Sequence, residues 1–261
     1  MRIRTATASD IPQIAQIGAQ AFETEPIYER FYPLRQMYRD DYLRGFIDEA
    51  HKFLITPGYR MMVAEIEGNE GTENSEATST TTQSPKIVGY ATFISYGPSA
   101  KLKSWNPDSF KNRLKRLLFN VRSVWTSFWY PNRAIWRPAI REYYRQAAEA
   151  KKVHLADPKG SSIDFKTLAV DPAHQRQKIG EKLIEWCGMT AWRAGVPVFG
   201  DATTNGLPLY LKSGCKDIGR IHLPKQVVDT GSKGDPVELD ALEIVVLKWE
   251  TKTNPLEGRK R

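Results

Sequence analysis

Cysteine and histidine are scarce in this chain, at two and four among 261 residues. Cys187 and Cys215 form neither a disulfide framework nor a metal-ligand spacing, so a reducing compartment is expected and no metal site is. Long apolar runs are missing as well. No stretch approaches the roughly 18 consecutive apolar residues of a membrane span, and the start MRIRTATASD carries charge with no apolar core behind it. A cytoplasmic location follows as the expectation, with the nucleus equally suited. The chain has no Gly-x-Ser-x-Gly elbow, no His-Glu-x-x-His and no Gly-x-x-x-x-Gly-Lys-Ser/Thr, which excludes the hydrolase, zinc-protease and phosphate-loop chemistries those motifs carry. Acidic residues are short in one segment. Lys101 to Lys152 holds 13 Lys or Arg against 3 Asp or Glu, a balance of +10 in a chain of net charge +8.

What is present is a composition of 41% hydrophobic and 26% charged residues, ordinary for a globular domain. The opening IRTATASDIPQIAQIGAQAF reads as a short strand and a helix, with Ser9 or Asp10 as cap and Ile11, Ile14, Ile17 and Phe22 on one face. Met37, Tyr38, Tyr42, Phe46 and Phe53 predict a second helix over 35–53, and YRMMVAEIEG and KIVGYATFISY predict two strands. Between those strands, NEGTENSEATSTTTQSP has almost no apolar side chain, and a mobile hairpin loop is expected at 68–86. The basic segment at 99–160 is expected to hold two helices, one with the apolar stripe Phe110, Leu114, Leu117, Val121, Val124 and Phe128, the other from Pro138 to Lys151. A disordered basic tail is expected at 251–261.

The most informative stretch is IDFKTLAVDPAHQRQKIGEKLIEWCGMTAW, residues 163–192. Its first eight residues read as a buried strand that Asp171 and Pro172 stop. Ile179, Leu183, Ile184, Cys187 and Trp192 then keep the spacing of one helix face. A strand, tight turn and helix point the unpaired N–H groups and positive end of the helix at whatever sits above the turn, and that suits a phosphate. After a strand at VPVFGDA comes GLPLYLKSGC, a short helix, and then strands at CKDIGRIHL and ALEIVVLKWE.

In that order these residues resemble the GCN5-related N-acetyltransferase (GNAT) family. The family signature, Leu-Ala-Val, Asp-Pro, then Gln/Arg-x-x-Gly-x-Gly/Ala, stands here as Leu168, Ala169, Val170, Asp171, Pro172, Gln175, Arg176, Gln177, Lys178, Ile179 and Gly180, and a second family segment is matched at Gly206, Pro208, Leu209, Tyr210, Lys212 and Gly214. The resemblance covers 161–250 well and 1–98 loosely. It implies one α/β domain over 1–250: a mixed, mostly antiparallel seven-stranded sheet with splayed central strands, flanking helices and a basic helical insertion. The hydroxyl-rich loop and added helices suggest a eukaryotic, fungal-like source. The activity implied is transfer of the acetyl group of acetyl-CoA to a primary amine, with no metal. The cofactor-binding residues implied are Leu168, Ala169 and Val170 through backbone, the turn and helix start from Gln175, Arg176, Gln177, Lys178, Ile179 and Gly180 to Glu181, and Asn205 and Tyr210, with Thr203 and Thr204 nearby. Lys178 stands where the family has glycine. With ordinary helical dihedrals the lysine is tolerated and adds a cation near the phosphates, which is the expectation here; a positive φ would weaken or abolish cofactor binding.

An amine must lose its proton before it attacks a thioester, which at a lysine-like pKa of about 10.4 costs roughly 4–5 kcal/mol at pH 7. Asp164, six residues before Val170 where some family members carry a catalytic Glu, is the first candidate base. Its alternative is a solvent-facing or lysine-paired carboxylate. His154 is the reserve. Tyr210 is the candidate acid for the departing thiolate, its alternative being packing alone. The insertion, with its 13 basic and 10 aromatic residues between Lys101 and Lys152, is expected to be a lid whose aromatics pack on the acceptor groove; surface contact of 110–130 with a membrane is the lesser reading. The partner expected is a small amine or peptide acceptor, for a monomer or homodimer. Two other functions stay open: a non-catalytic module that binds coenzyme A or a peptide, and, with less support, a nucleic-acid-binding protein that uses the basic insertion.

Overall fold

The computed structural model describes residues 1–67, 85–99, 101–102, 105, 107–152, 160–229 and 236–250. Most of the loop expected at 68–86, the reserve base His154 and the tail expected at 251–261 lie outside the described residues. Strands β1 (Arg2–Thr5), β2 (Tyr59–Ile66), β3 (Lys86–Tyr96), β4 (Ser162–Val170), β5 (Val198–Ala202), β6 (Lys216–Leu223) and β9 (Leu242–Trp249) form a seven-stranded sheet in the order β1-β2-β3-β4-β5-β9-β6. The β4–β5 pair alone is parallel in that sheet. This is the mixed, mostly antiparallel sheet that the resemblance implies. A separate ribbon pairs β7 (Gln226–Val228) with β8 (Val237–Leu239).

Seven helices flank the sheet among the described residues: α1 (Ile11–Ala21), α2 (Pro26–Phe31), α3 (Arg39–Ile55), α4 (Phe110–Trp129), α5 (Arg137–Lys152), α6 (Ile179–Ala194) and α7 (Leu207–Lys212). The pleat sorts side chains between the faces. Met61, Val63, Ile87 and Tyr90 meet α1 and α3, while Val88, Ala91 and Phe93 meet Leu183, Ile184 and Cys187 of α6. On α6, Gly188 leaves room for Trp249, whose ring a Cβ would approach to 2.1 Å. Helix α5 is a core element. Its Tyr143, Ala147 and Ala150 cover Ile221, Leu223, Ile244 and Val246 at the β6–β9 end. Arg30 of α2 is 2% exposed and donates to the carbonyls of Leu223, Pro224 and Asp240 and to Gln226 Oε1, binding α2 to that end of the sheet.

Helix α4 differs from the lid expected at this position. It is capped by Ser109, whose hydroxyl accepts from the Asn112 N–H, yet none of its residues is buried. Its apolar stripe turns away from the protein, so the aromatics of that stripe do not pack on a groove.

Candidate functional site

The turn after β4 is built locally. Asp171 accepts a hydrogen bond from Ala173 N at 3.0 Å and meets His174 Nδ1 at 2.9 Å, and Pro172 opens a short 3-10 turn over Pro172–His174. These contacts end the strand and turn the chain toward α6. Asp171 N also donates to the Val88 carbonyl at 2.9 Å. Backbone groups alternate along an antiparallel ladder, so Ala169 and Thr167 face β3 as well, and the N–H and C=O of Leu168 and Val170 face the other way. On that side β5 pairs only with Ile163, Asp164 and Phe165. Lys166 is the extra residue where the β3–β4 register slips, between Thr92↔Thr167 and Phe93↔Phe165, and a bulge bends and twists the strand that carries it. The upper half of β4 therefore parts from β5 and presents an unpaired edge, the splay the resemblance implies.

Above that edge, Arg176 stands at φ 63° and Lys178 at φ 60°, ψ 17°. The expectation of ordinary helical dihedrals at Lys178 is thus corrected. A β-carbon in left-handed backbone costs about 1–2 kcal/mol per residue. The chain accepts that cost twice within three residues because the reversal from Gln175 into α6 demands it. A left-handed turn at a helix start is the backbone setting in which anion-binding concavities form. Gln175, Arg176, Lys178, Ile179, Gly180 and Glu181 all line one large cleft of about 1880 Å3, and so do Leu168 and Val170.

Asp164 lies in the same cleft but is engaged. Lys151 Nζ donates to its Oδ1 at 2.9 Å, and Lys166 Nζ to its Oδ2 at 2.5 Å. Lys151 also donates to Asp201 Oδ2 at 2.8 Å, and the Tyr143 hydroxyl donates to the same oxygen at 3.0 Å. Burial opposes the charge of Lys151, but Asp164 and Asp201 outweigh it and raise the ammonium's pKa. This is the lysine-paired alternative for Asp164. With both of its oxygens engaged by ammonium groups, this carboxylate is not free to meet an incoming amine.

A second carboxylate, which sequence reasoning missed, also lines the cleft. Glu49, on α3, lines the cleft and makes no hydrogen bond or ion pair with the described residues. Burial pushes its carboxyl up to about 7, against a weaker opposing pull from Lys52. Around it the cleft wall is aromatic, with Phe22, Tyr28, Tyr32, Tyr59 and Tyr144; Phe22 and Tyr28 stack with ring centroids 4.1 Å apart. In the sequence Glu49 is one acid among several on α3, beside Asp40, Asp41 and Asp48. The signal that sets it apart is its place in the packed protein.

Tyr210, on α7, lines the cleft with its ring edge-on to Phe165 at 5.5 Å. Burial raises its phenol pKa well above the ordinary value, so the hydroxyl keeps its proton through the neutral range. Asn205 also reaches the cleft, but donates to Glu25 Oε1 at 3.1 Å while Thr203 donates to Glu25 Oε2 at 2.9 Å. These bonds tie the loop before α7 to the start of α2. Glu181 accepts from Lys212 Nζ at 2.6 Å, and Gln175 Nε2 lies 3.4 Å from the Val170 carbonyl at the mouth of the splay.

No protein-family model matches the chain, and no curated protein matches it. Among solved structures it is similar to the histone acetyltransferase HPA2 and related acetyltransferase of Corynebacterium glutamicum, at 16% identity over 94% of this chain and 93% of that one, TM-score 0.48. It is also similar to Arabidopsis thaliana NAA60 in complex with a bisubstrate analogue, at 11% identity over 95% and 96%, TM-score 0.49. A third is an N-acetyltransferase from Staphylococcus aureus Mu50, at 15% identity over 96% and 98%, TM-score 0.45. Likenesses this distant do not bear on chemistry, which the geometry of the cleft itself has to carry.

Proposed function

We propose that this chain is an acetyl-CoA-dependent N-acetyltransferase acting on a primary amine. The observation that carries the proposal is the unpaired edge of β4 at Leu168 and Val170, leading directly into the left-handed turn at Arg176 and Lys178, both open to one cleft. An amide-bearing chain can add to such an edge as another strand, and a pyrophosphate suits the helix start beyond it. Arg176 and Lys178 add two cations at that end. Together they fit coenzyme A, an anionic head on an amide-rich arm, and bound acetyl-CoA supplies an activated acetyl thioester.

The remaining groups then have work assigned by their surroundings. Glu49, titrating near neutrality, takes the proton that an incoming ammonium must lose, directly or through water. The aromatic wall beside it favours an apolar amine over a highly charged one. The Tyr210 hydroxyl donates a hydrogen bond to the leaving thiolate. Asp164 holds Lys151 and Lys166 in place and so keeps the splayed strand in register with α5.

A second reading, a module that binds coenzyme A without turnover, is favoured by the engagement of Asp164 with two lysines. Colorimetric detection of free thiol separates the two. With acetyl-CoA and a panel of alkylamines, arylalkylamines, amino acids, polyamines and peptides, thiol release should rise with at least one amine, and Tyr210→Phe should lower turnover far more than acetyl-CoA affinity. Acetyl-CoA binding with no amine-dependent release across the panel would favour the module.

A further inference from the structure

Helix α4 is amphipathic with its polar side inward. Arg116 donates to the Ile55 carbonyl at 3.0 Å, and Phe119, Ser123, Thr126 and Ser127 line the cleft. The opposite side is a continuous apolar stripe. Phe110 is 82% exposed, Val121 62%, Val124 74%, Trp125 65% and Phe128 78%. With Leu114, Leu117, Leu118 and Trp129 these positions follow three-and-four spacing and span a sector of about 140°. So large an exposed apolar face on a chain with an otherwise well-buried core marks a surface that something covers.

Charge identifies what covers it. From Ser109 to Arg141 there are eight Lys or Arg and no Asp or Glu. By helical geometry, Lys111, Lys115 and Arg122 lie along one border of the stripe, and Arg113, paired with Asp108 at 3.0 Å, along the other. A second copy of this chain would bring the same positive helix and repel. Nucleic acid would satisfy the borders but leave the apolar stripe in water. An anionic lipid surface satisfies both, since apolar side chains sink to the acyl boundary while basic borders meet the headgroups, and Trp125, Trp129 and Tyr130 are residues that favour that interface. No described helix is long and apolar enough to cross a membrane, so the helix would lie on the surface.

We propose that α4 is a membrane-docking helix that lays its outward stripe on an anionic lipid surface. Because its inner side lines the cleft, docking brings one wall of the cleft against the membrane.

The test is co-sedimentation of the full chain with phosphatidylcholine vesicles, with and without phosphatidylserine. The full chain should pellet with the mixed vesicles and shift its tryptophan emission to the blue, and pellet much less with phosphatidylcholine alone. Val124→Glu combined with Phe128→Glu, both at exposed positions that leave the core intact, should weaken binding to mixed vesicles more than tenfold. Lys111→Gln and Lys115→Gln should each weaken it about fivefold, the equivalent of about 1 kcal/mol per basic residue at an anionic surface. Thermal melts of the variants confirm folding. No pelleting of the natural chain, pelleting that survives the double glutamate variant, or a dimer in sedimentation equilibrium that the double variant dissolves would each overturn the proposal, the last by assigning the stripe to a second copy.

Discussion

Lys178 sits in backbone that favours glycine, at φ 60°. Replacing it with glycine relieves about 1–2 kcal/mol of strain and loosens the unfolded chain by about 0.4–1 kcal/mol. Lys178→Gly should therefore stabilise the protein by up to about 1 kcal/mol, seen as a higher midpoint in urea. Loss of one solvated cation should weaken acetyl-CoA affinity less than tenfold. Glu49 makes a sharper case. Its carboxyl rises from an ordinary 4.5 to about 7 in the folded protein, in a setting that includes Tyr28 and Tyr32 of the α2 region, Lys52 on its own helix, Tyr59 and Tyr90 on the sheet and Tyr144 on α5. Between those two values the folded protein keeps a proton that the unfolded chain has released. The stabilising contribution is complete below pH 4.5 and is lost as pH rises through 7. Glu49→Gln should leave stability unchanged near pH 4 and raise it at pH 8 by about 2 kcal/mol, after discounting for the solvent the carboxylate still meets. The same variant should lose amine-dependent turnover. Urea titrations at the two pH values and the thiol assay check both.

At the scale of elements, the splay of β4 depends on a bulge at Lys166 and on an ionic cluster that ties the strand to α5. Lys151 is the hinge of that cluster, 13% exposed at its side chain and paired with Asp164 at 2.9 Å and Asp201 at 2.8 Å. Lys151→Met keeps the length of the stem but leaves Asp201, itself pushed up by burial, without its cation. Breaking a buried pair from one side costs about 3–5 kcal/mol, and urea denaturation at pH 7 should show a loss of that order, with less loss at low pH where Asp201 is protonated. The elements differ in how far they could be read from the chain. The strand, turn and helix at 163–192 were legible because each is specified locally, by alternation, by Asp171–Pro172 and by the spacing of Ile179, Leu183 and Cys187. Helix α2 and the β7–β8 ribbon escaped because six and three residues per element are too few to establish a period. Helix α4 was legible as amphipathic, but its direction was not, since the pattern cannot say which side meets the protein. The same limit hid Glu49, which only tertiary packing distinguishes from the other acids of α3. The left-handed backbone at Lys178 escaped because the expectation of an ordinary conformation rested on the motif's match at its other positions, which does not fix the dihedrals of the one that departs.

At the scale of the whole molecule, the sheet opens between β4 and β5, and one cleft is lined by the left-handed turn, α7, the aromatic wall, Glu49 and the inner side of α4. The claim on which the rest stands is that the splayed edge and its turn hold coenzyme A. Calorimetric titration of acetyl-CoA into the 261-residue chain tests it most directly. The account predicts saturable micromolar binding at a single site, retained by Lys178→Gly and unaffected by Val124→Glu on the outer face of α4. An absence of binding by the natural chain, whether or not Lys178→Gly restores it, would contradict it.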